Sequence, residues 1–230
     1  MMTILVVVAH PDDEVLGCGG TIAGLAAAGH DVHIAILGEG ISSRHARRDE
    51  APAAELQALQ ADARAAAAAL GARSIVFGGL PDNRFDQVAL LDVIKQVEGW
   101  IETFRPEAIY THHPGDLNVD HGIVFRAVLT ATRPGASSVG VADLIAFEVA
   151  SSTEWAFQRI GPPFRPSVFV DISATLNRKI AAMECYRSEQ RSAPHPRSPE
   201  VIRATAVRWG SASGMRHAEA FELIRSLRRG

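Results

Sequence analysis

The sequence predicts an α/β fold: a doubly wound, mostly parallel sheet with helices on both faces. Three observations carry that prediction. The chain opens as strand, loop, helix and strand within its first forty or so residues, the unit that builds parallel sheets. Its first strand is an unbroken apolar run, as expected of a strand buried on both faces. Strand and helix patterns then alternate along most of the 230 residues.

The elements follow in order. Thr3 to Ala9 is the first strand, with Val6, Val7 and Val8 in a row. Gly17, Gly19 and Gly20 come next, and Thr21 to Ala28 reads as a helix closed by Gly29. Asp31 to Leu37 is the second strand. The alanine-rich segment from Asp49 to Leu70 reads as a long helix ended by Gly71. Ser74 to Phe77 is a third strand, and Gly78 to Asp86 a loop containing Pro81. Val88 to Phe104 has the spacing of an amphipathic helix, and Glu107 to Thr111 that of a fourth strand. A polar loop from His112 to Asp120 leads into a helix from about His121 to Thr132. Leu144 to Val149 and Ser167 to Ile172 are later strands. Ala174 to Ser188, Pro199 to Trp209 and Ala218 to Arg228 read as helices. The expectation is one Rossmann-like domain over residues 1–230, helical from about residue 174.

Composition narrows the class of function. A hydrophobic fraction of 47% and a charged fraction of 21% are ordinary for a globular chain. A net charge of -3 argues against a nucleic-acid partner. No apolar stretch reaches the roughly 20 residues of a membrane span. The N-terminus lacks the basic flank of a signal peptide. Cys18 and Cys185 form neither a disulfide framework nor a CxxC site, which suits a reducing compartment. The localisation expected on these grounds is cytoplasmic.

In open α/β sheets ligands bind beyond the carboxyl ends of the strands. Four successive strand ends here carry polar or ionisable groups. They are His10-Pro-Asp-Asp-Glu14; Glu39 with Ser42, Ser43 and Arg44; Asp82, Asn83 and Arg84; and His112 to Asp116 with Asn118, Asp120 and His121. His10 and Asp13 are ligand types that zinc and similar ions take. Asp12 beside them is free to move a proton. Asp13 or Glu14 alone would be explained as a helix cap. A cap does not explain a histidine and two carboxylates together. A catalytic zinc needs a third protein ligand. His121 is selected, with His112 and His113 competing. His30, His33, His45 and His217 are assigned to surface or core packing.

Other chemistries lack their signatures. Gly17-Cys-Gly-Gly20 follows a strand, but Ile22 stands where a dinucleotide loop needs its third glycine. No G-x-S-x-G turn is present for a serine hydrolase. With three tryptophans and two tyrosines, a broad aromatic sugar platform is not expected.

Ala9-His-Pro-Asp-Asp-Glu14 with Gly17-Cys-Gly-Gly-Thr21, Thr111-His-His-Pro-Gly-Asp116 and Asn118-Val-Asp-His121 resemble the LmbE-like, or PIG-L, family of N-acetylglucosaminyl-type deacetylases. Glu148, Ser151 to Trp155, Tyr186 to Glu189, His195 to Ser198 and Ala218 to Phe221 resemble one bacterial branch of it. The resemblance implies zinc-dependent hydrolysis of an N-acyl, usually N-acetyl, group on an amino sugar. It implies that His10, Asp13 and His121 bind Zn2+ and that Asp12 is the general base, with Asp120 supporting His121. Many relatives carry a histidine where this chain has Asn118. His113 is the expected replacement donor for the oxyanion, with His112 as the other candidate. Substrate contacts are expected from Arg44, Asp82, Arg84, Asn118, Ser152 and Arg197, and the loop with His195 and Arg197 is expected to act as a lid. The partner expected is a small amino-sugar molecule. A homo-oligomer is expected by analogy, through the C-terminal helices. Rival readings are an amidase on a thiol-sugar conjugate and a non-catalytic carbohydrate-binding relative.

Overall fold

The computed structural model describes residues 1–135 and 140–228. Strands β1 (Thr3–Val8), β2 (Asp31–Gly38), β3 (Ser74–Leu80), β4 (Ala108–His112), β5 (Asp143–Phe147), β6 (Val168–Asp171) and β7 (Ala218–Ser226) form one sheet. Their order is β3-β2-β1-β4-β5-β7-β6. The pairs from β3 through β5 are parallel, and β7 runs antiparallel to both β5 and β6. The helices are α1 (Asp13–Ala27), α2 (Ala53–Leu70), α3 (Leu90–Phe104), α4 (Val119–Ala131), α5 (Leu176–Cys185) and α6 (Pro199–Ser213).

Alternate side chains of β1 enter opposite faces, as strand geometry requires. Ile4, Val6 and Val8 join a core with residues of α1, α2 and α5. Leu5, Val7 and Ala9 join another with residues of α3 and α4. Burial on both sides explains why β1 is apolar throughout. The strand order reverses between β1 and β4, so the crevice at their carboxyl ends is the position where doubly wound sheets bind ligands. No helix among the described residues is long and apolar enough to cross a membrane.

Two elements differ from the sequence expectation. Helix α1 begins at Asp13, so the glycine stretch lies inside it, bent where Cys18 leaves helical geometry. Gly17 and Gly20 are there because helix and sheet touch. A Cβ on Gly17 would stand 2.1 Å from the Phe147 ring, and one on Gly20 2.7 Å from Ile172. Helix propensity alone says that Gly17→Ala gains about 1 kcal/mol. The packing reverses that sign. A loss of about 1–3 kcal/mol is expected in chemical denaturation, and a stabilised variant would disprove the contact.

The second difference is the C-terminus. Ala218 to Arg228 was expected to be a helix, yet residues 218–226 form β7 inside the sheet. Alanine, glutamate, leucine and arginine favour helices locally, and tertiary pairing overrides that preference. Phe221 meets Tyr110 of β4 edge-on, while Ile224 packs on the opposite core. Buried Glu219 accepts hydrogen bonds from the Gly20 and Thr21 backbones and pairs with Lys179 at 2.6 Å. Of the three C-terminal helices expected to offer an oligomer contact, the segment 218–226 is therefore a strand of the sheet, and α5 and α6 are helices.

Candidate metal centre and active site

The end of β1 turns sharply into α1. Asp12 occupies the turn with φ 98°, a left-handed conformation costly for a residue with a Cβ. Its side chain makes no cap to the helix and is 1% exposed. The turn brings His10, Asp12 and Asp13 together at the carboxyl end of β1, with His10 and Asp13 lining the cavity there. The His10 backbone N–H donates to Asp13 Oδ2 at 2.8 Å, which fixes that carboxylate.

Helix α4 brings the third donor, His121. Asn118 caps it, its side-chain oxygen accepting from the Asp120 N–H at 2.9 Å. His121 Nε2 then lies 3.3 Å from His10 Nδ1 and 3.4 Å from Asp13 Oδ2. His10 Nδ1 is also 3.4 Å from Asp13 Oδ2. Three donors on a tetrahedral zinc, each about 2.1 Å from it, stand about 3.4 Å apart. The triangle of these three side chains fits such an ion in both size and donor chemistry.

Each histidine is held from behind. His10 Nε2 faces Asp120 Oδ2 at 2.9 Å, and the other Asp120 oxygen accepts from the Phe85 N–H. His121 Nδ1 lies 3.1 Å from Asp116 Oδ2, close enough for an ion pair but without hydrogen-bond alignment. Asp116 is itself fixed by Ser152, Thr153 and the Asn118 N–H. Carboxylates at these positions draw the ring proton backward and leave the opposite nitrogen free for an ion. Asp120 thus serves His10, whereas it was expected beside His121; Asp116 fills that place. Asp116→Asn is expected to weaken metal binding about 10–100-fold, read by competition with a chelator, and an unchanged affinity would disprove the coupling.

The charges are strongly coupled. Burial opposes protonation of His121, but Asp13 and Asp116 outweigh it and raise the ring to about 9. Burial acts likewise on His10, where Asp120 and Asp13 prevail and hold it well above its ordinary value. Asp13 is raised by burial and drawn down further by His121, so it ends well below the usual carboxylate range. The centre of the triangle therefore attracts positive charge. Asp12 differs from its neighbour. Burial lifts it to about 7, with Arg197 opposing that rise. Arg197 Nε lies 3.1 Å from Asp12 Oδ2, but its N–H is not aimed at that oxygen, and neither Asp12 oxygen accepts a hydrogen bond.

His112 and His113, the competing ligands, take other places. His112 Nε2 accepts from the Ala9 N–H at 2.8 Å, and its ring stacks on His121 at 3.9 Å. Burial pushes it down to about 3, so it is a neutral plate under the His121 ring. His113 turns away. Its nitrogens face Glu222 Oε2 at 2.7 Å and the Pro162 carbonyl at 2.9 Å, and it lines a different cavity. It was expected as the oxyanion donor, and the structure does not bring it to the triangle. Glu222, which holds it, belongs to the strand mistaken for a helix.

A cavity of about 230 Å³ opens beside the triangle. Arg44, Asp82, Asn118, Ser152 and Arg197 line it, and Arg84 does not. Asp82 accepts from the Ser43 N–H and hydroxyl. Glu189, to which no role was assigned, clamps Arg44 on one oxygen and Arg197 on the other at 2.7 Å. The loop with Arg197 therefore reaches the site, while His195 stands edge-on to Trp155.

Three similar proteins place this architecture among known ones. A diacetylchitobiose deacetylase of Thermococcus kodakarensis is 27% identical over 229 residues, covering 96% of this chain and 82% of its own. A 4-oxalmesaconate hydratase of Pseudomonas putida is 30% identical over 201 residues, covering 81% and 73%. The solved N,N'-diacetylchitobiose deacetylase of Pyrococcus horikoshii shares the fold with a TM-score of 0.76 at 18% identity, covering 97% of this chain and 84% of that one. Residues 5–132 match the family described as PIG-L, GlcNAc-PI de-N-acetylase, and the chain belongs to that family.

Proposed function

We propose that this protein is a zinc-dependent N-deacetylase acting on an amino sugar or its conjugate. The observation that carries the reading is the triangle of His10, Asp13 and His121 with Asp12 unbonded beside it. A divalent ion held there supplies Lewis-acid activation of water and of the amide carbonyl. In this reading Asp12 takes the proton of the attacking water as its oxygen bonds the amide carbon. With a pKa near neutrality it can give that proton to the amine nitrogen as the C–N bond breaks. Arg197 steadies the ionised form of Asp12. Asn118 donates one amide proton to Asn83 at 2.9 Å and keeps another for a developing oxyanion. Asp82 and Arg44 offer an acceptor and a donor to sugar hydroxyls.

A second reading is addition of water to an unsaturated, anionic substrate. The guanidinium groups of Arg44 and Arg197 in one cavity favour it, as does the likeness to a hydratase. One panel separates the two. Zinc-loaded protein is expected to release acetate from at least one N-acetylated amino sugar. Silence across that panel, with loss of absorbance from a conjugated carboxylate, would replace the first reading by the second.

A further inference from the structure

Asp12 sits in the left-handed region at φ 98°, and a residue so placed persists only where its surroundings hold it there. Its backbone is held through Glu14. The Asp12 N–H donates to Glu14 Oε2 at 3.2 Å, and the Tyr186 hydroxyl donates to Glu14 Oε1 at 2.6 Å. Glu14 and Tyr186 are both fully buried, so water does not compete for either bond. Glu14 belongs neither to the triangle nor to the lining of the cavity beside it.

The carboxylate of Asp12 is faced by Arg197, whose Nε stands 3.1 Å from Oδ2. Arg197 is held in turn by Glu189, with Nη1 donating to Oε2 at 2.7 Å. Tyr186 and Glu189 belong to one turn that follows α5, closed by the Glu189 N–H donating to the Tyr186 carbonyl at 3.0 Å. The turn is pinned to α2. The Arg187 N–H donates to Asp62 Oδ2 at 3.2 Å, and its guanidinium donates to Asp62 Oδ1 at 2.8 Å. This single turn thus reaches Asp12 by two routes, one ending on the backbone and the other on the side chain.

We propose that the Tyr186–Glu189 turn positions Asp12 for proton transfer, Tyr186 acting through Glu14 on its backbone and Glu189 acting through Arg197 on its carboxylate. Both are positioning residues, because each acts through an intermediate side chain. Their part in turnover rests on the deacetylase reading, so the first measurement needs no substrate. Amide hydrogen exchange is followed by NMR on isotope-labelled, zinc-loaded protein. Exchange at Asp12 is expected to be about threefold to tenfold faster in Tyr186→Phe, the worth of one hydrogen bond. Exchange at Val7, in the buried strand β1, should not change. Tyr110→Phe removes the chain's other tyrosine hydroxyl and should leave Asp12 at its native rate. The second measurement is kcat for acetate release. Tyr186→Phe and Glu189→Gln are each expected to lower it about 10-fold to 100-fold. In the Asp12→Asn background neither should lower it further, whereas general loosening of the site would lower it in both backgrounds. If Tyr186→Phe does not fold, Glu189→Gln decides the matter through that cycle. Native exchange at Asp12 in folded Tyr186→Phe, or an undiminished loss of kcat on top of Asp12→Asn, would overturn the positioning. If exchange at Asp12 accelerates while no N-acetylated sugar yields acetate, the tether stands and the deacetylase reading fails.

Discussion

Replacing Asp12 by asparagine is expected to lower kcat by about 10²–10⁴-fold while the protein still binds its metal. The two effects separate because Asp12 is not one of the three donors and, among the described residues, neither of its oxygens accepts a hydrogen bond. Asparagine keeps the shape and loses the charge facing Arg197 together with the ability to carry a proton. The pH profile supplies a second readout. Burial holds the carboxyl up at about 7, and Arg197 is the largest influence pulling it down. Activity that needs the ionised base rises as pH passes the pKa of that base. Removing the guanidinium in Arg197→Met moves that pKa upward, so the acidic limb should shift to higher pH. A shift to lower pH, or an Asp12→Asn variant of native rate, would remove Asp12 from the chemistry.

The other large effect is on metal content. Elemental mass spectrometry of native protein incubated with zinc and dialysed is expected to find about one ion per chain. His10→Ala should find essentially none. His10 is the hinge of the arrangement, since one nitrogen faces Asp13 and His121 and the other faces Asp120 and Asp82. Its loss also leaves the buried Asp120 with only the Phe85 N–H. Some destabilisation, of about 1–3 kcal/mol, should accompany the variant. His45→Ala is the control, because that ring pairs with Glu55 at 3.3 Å and is not part of the triangle. Retention of zinc by His10→Ala would relocate the metal centre.

What the sequence revealed depended on how local the determinant was. The apolar β1 and the His10-Pro-Asp-Asp13 run are contiguous, so strand, turn and donors could be read together. His121 was reachable because the fourth strand end lies beside the first at the reversal of strand order. Asp116 and Glu189 were visible as residues, but their roles depend on partners such as Thr153 at 2.8 Å and Arg44, which lie 37 and 145 positions away. Helix α1 was misjudged at its start because glycine reads as a breaker, and only the Phe147 and Ile172 side chains show why it is needed. The last strand was misjudged because propensity describes a segment alone, and β7 is specified by neighbours on both sides.

The place of β7 in the sheet has a consequence for the order of assembly. Among the described residues strand β6 pairs with β7 alone, and β7 is the later of the two in the chain. During synthesis residues 168–171 leave the ribosome without a partner and wait for residues 218–226. Until then the outer edge of β5 presents unpaired backbone groups, a template for pairing with another chain. The Lys179–Glu219 and His113–Glu222 pairs close at the same moment. A nascent chain stalled before residue 218 would carry the His10, Asp13 and His121 triangle on a sheet that is still open, and its yield would depend on how fast translation delivers β7.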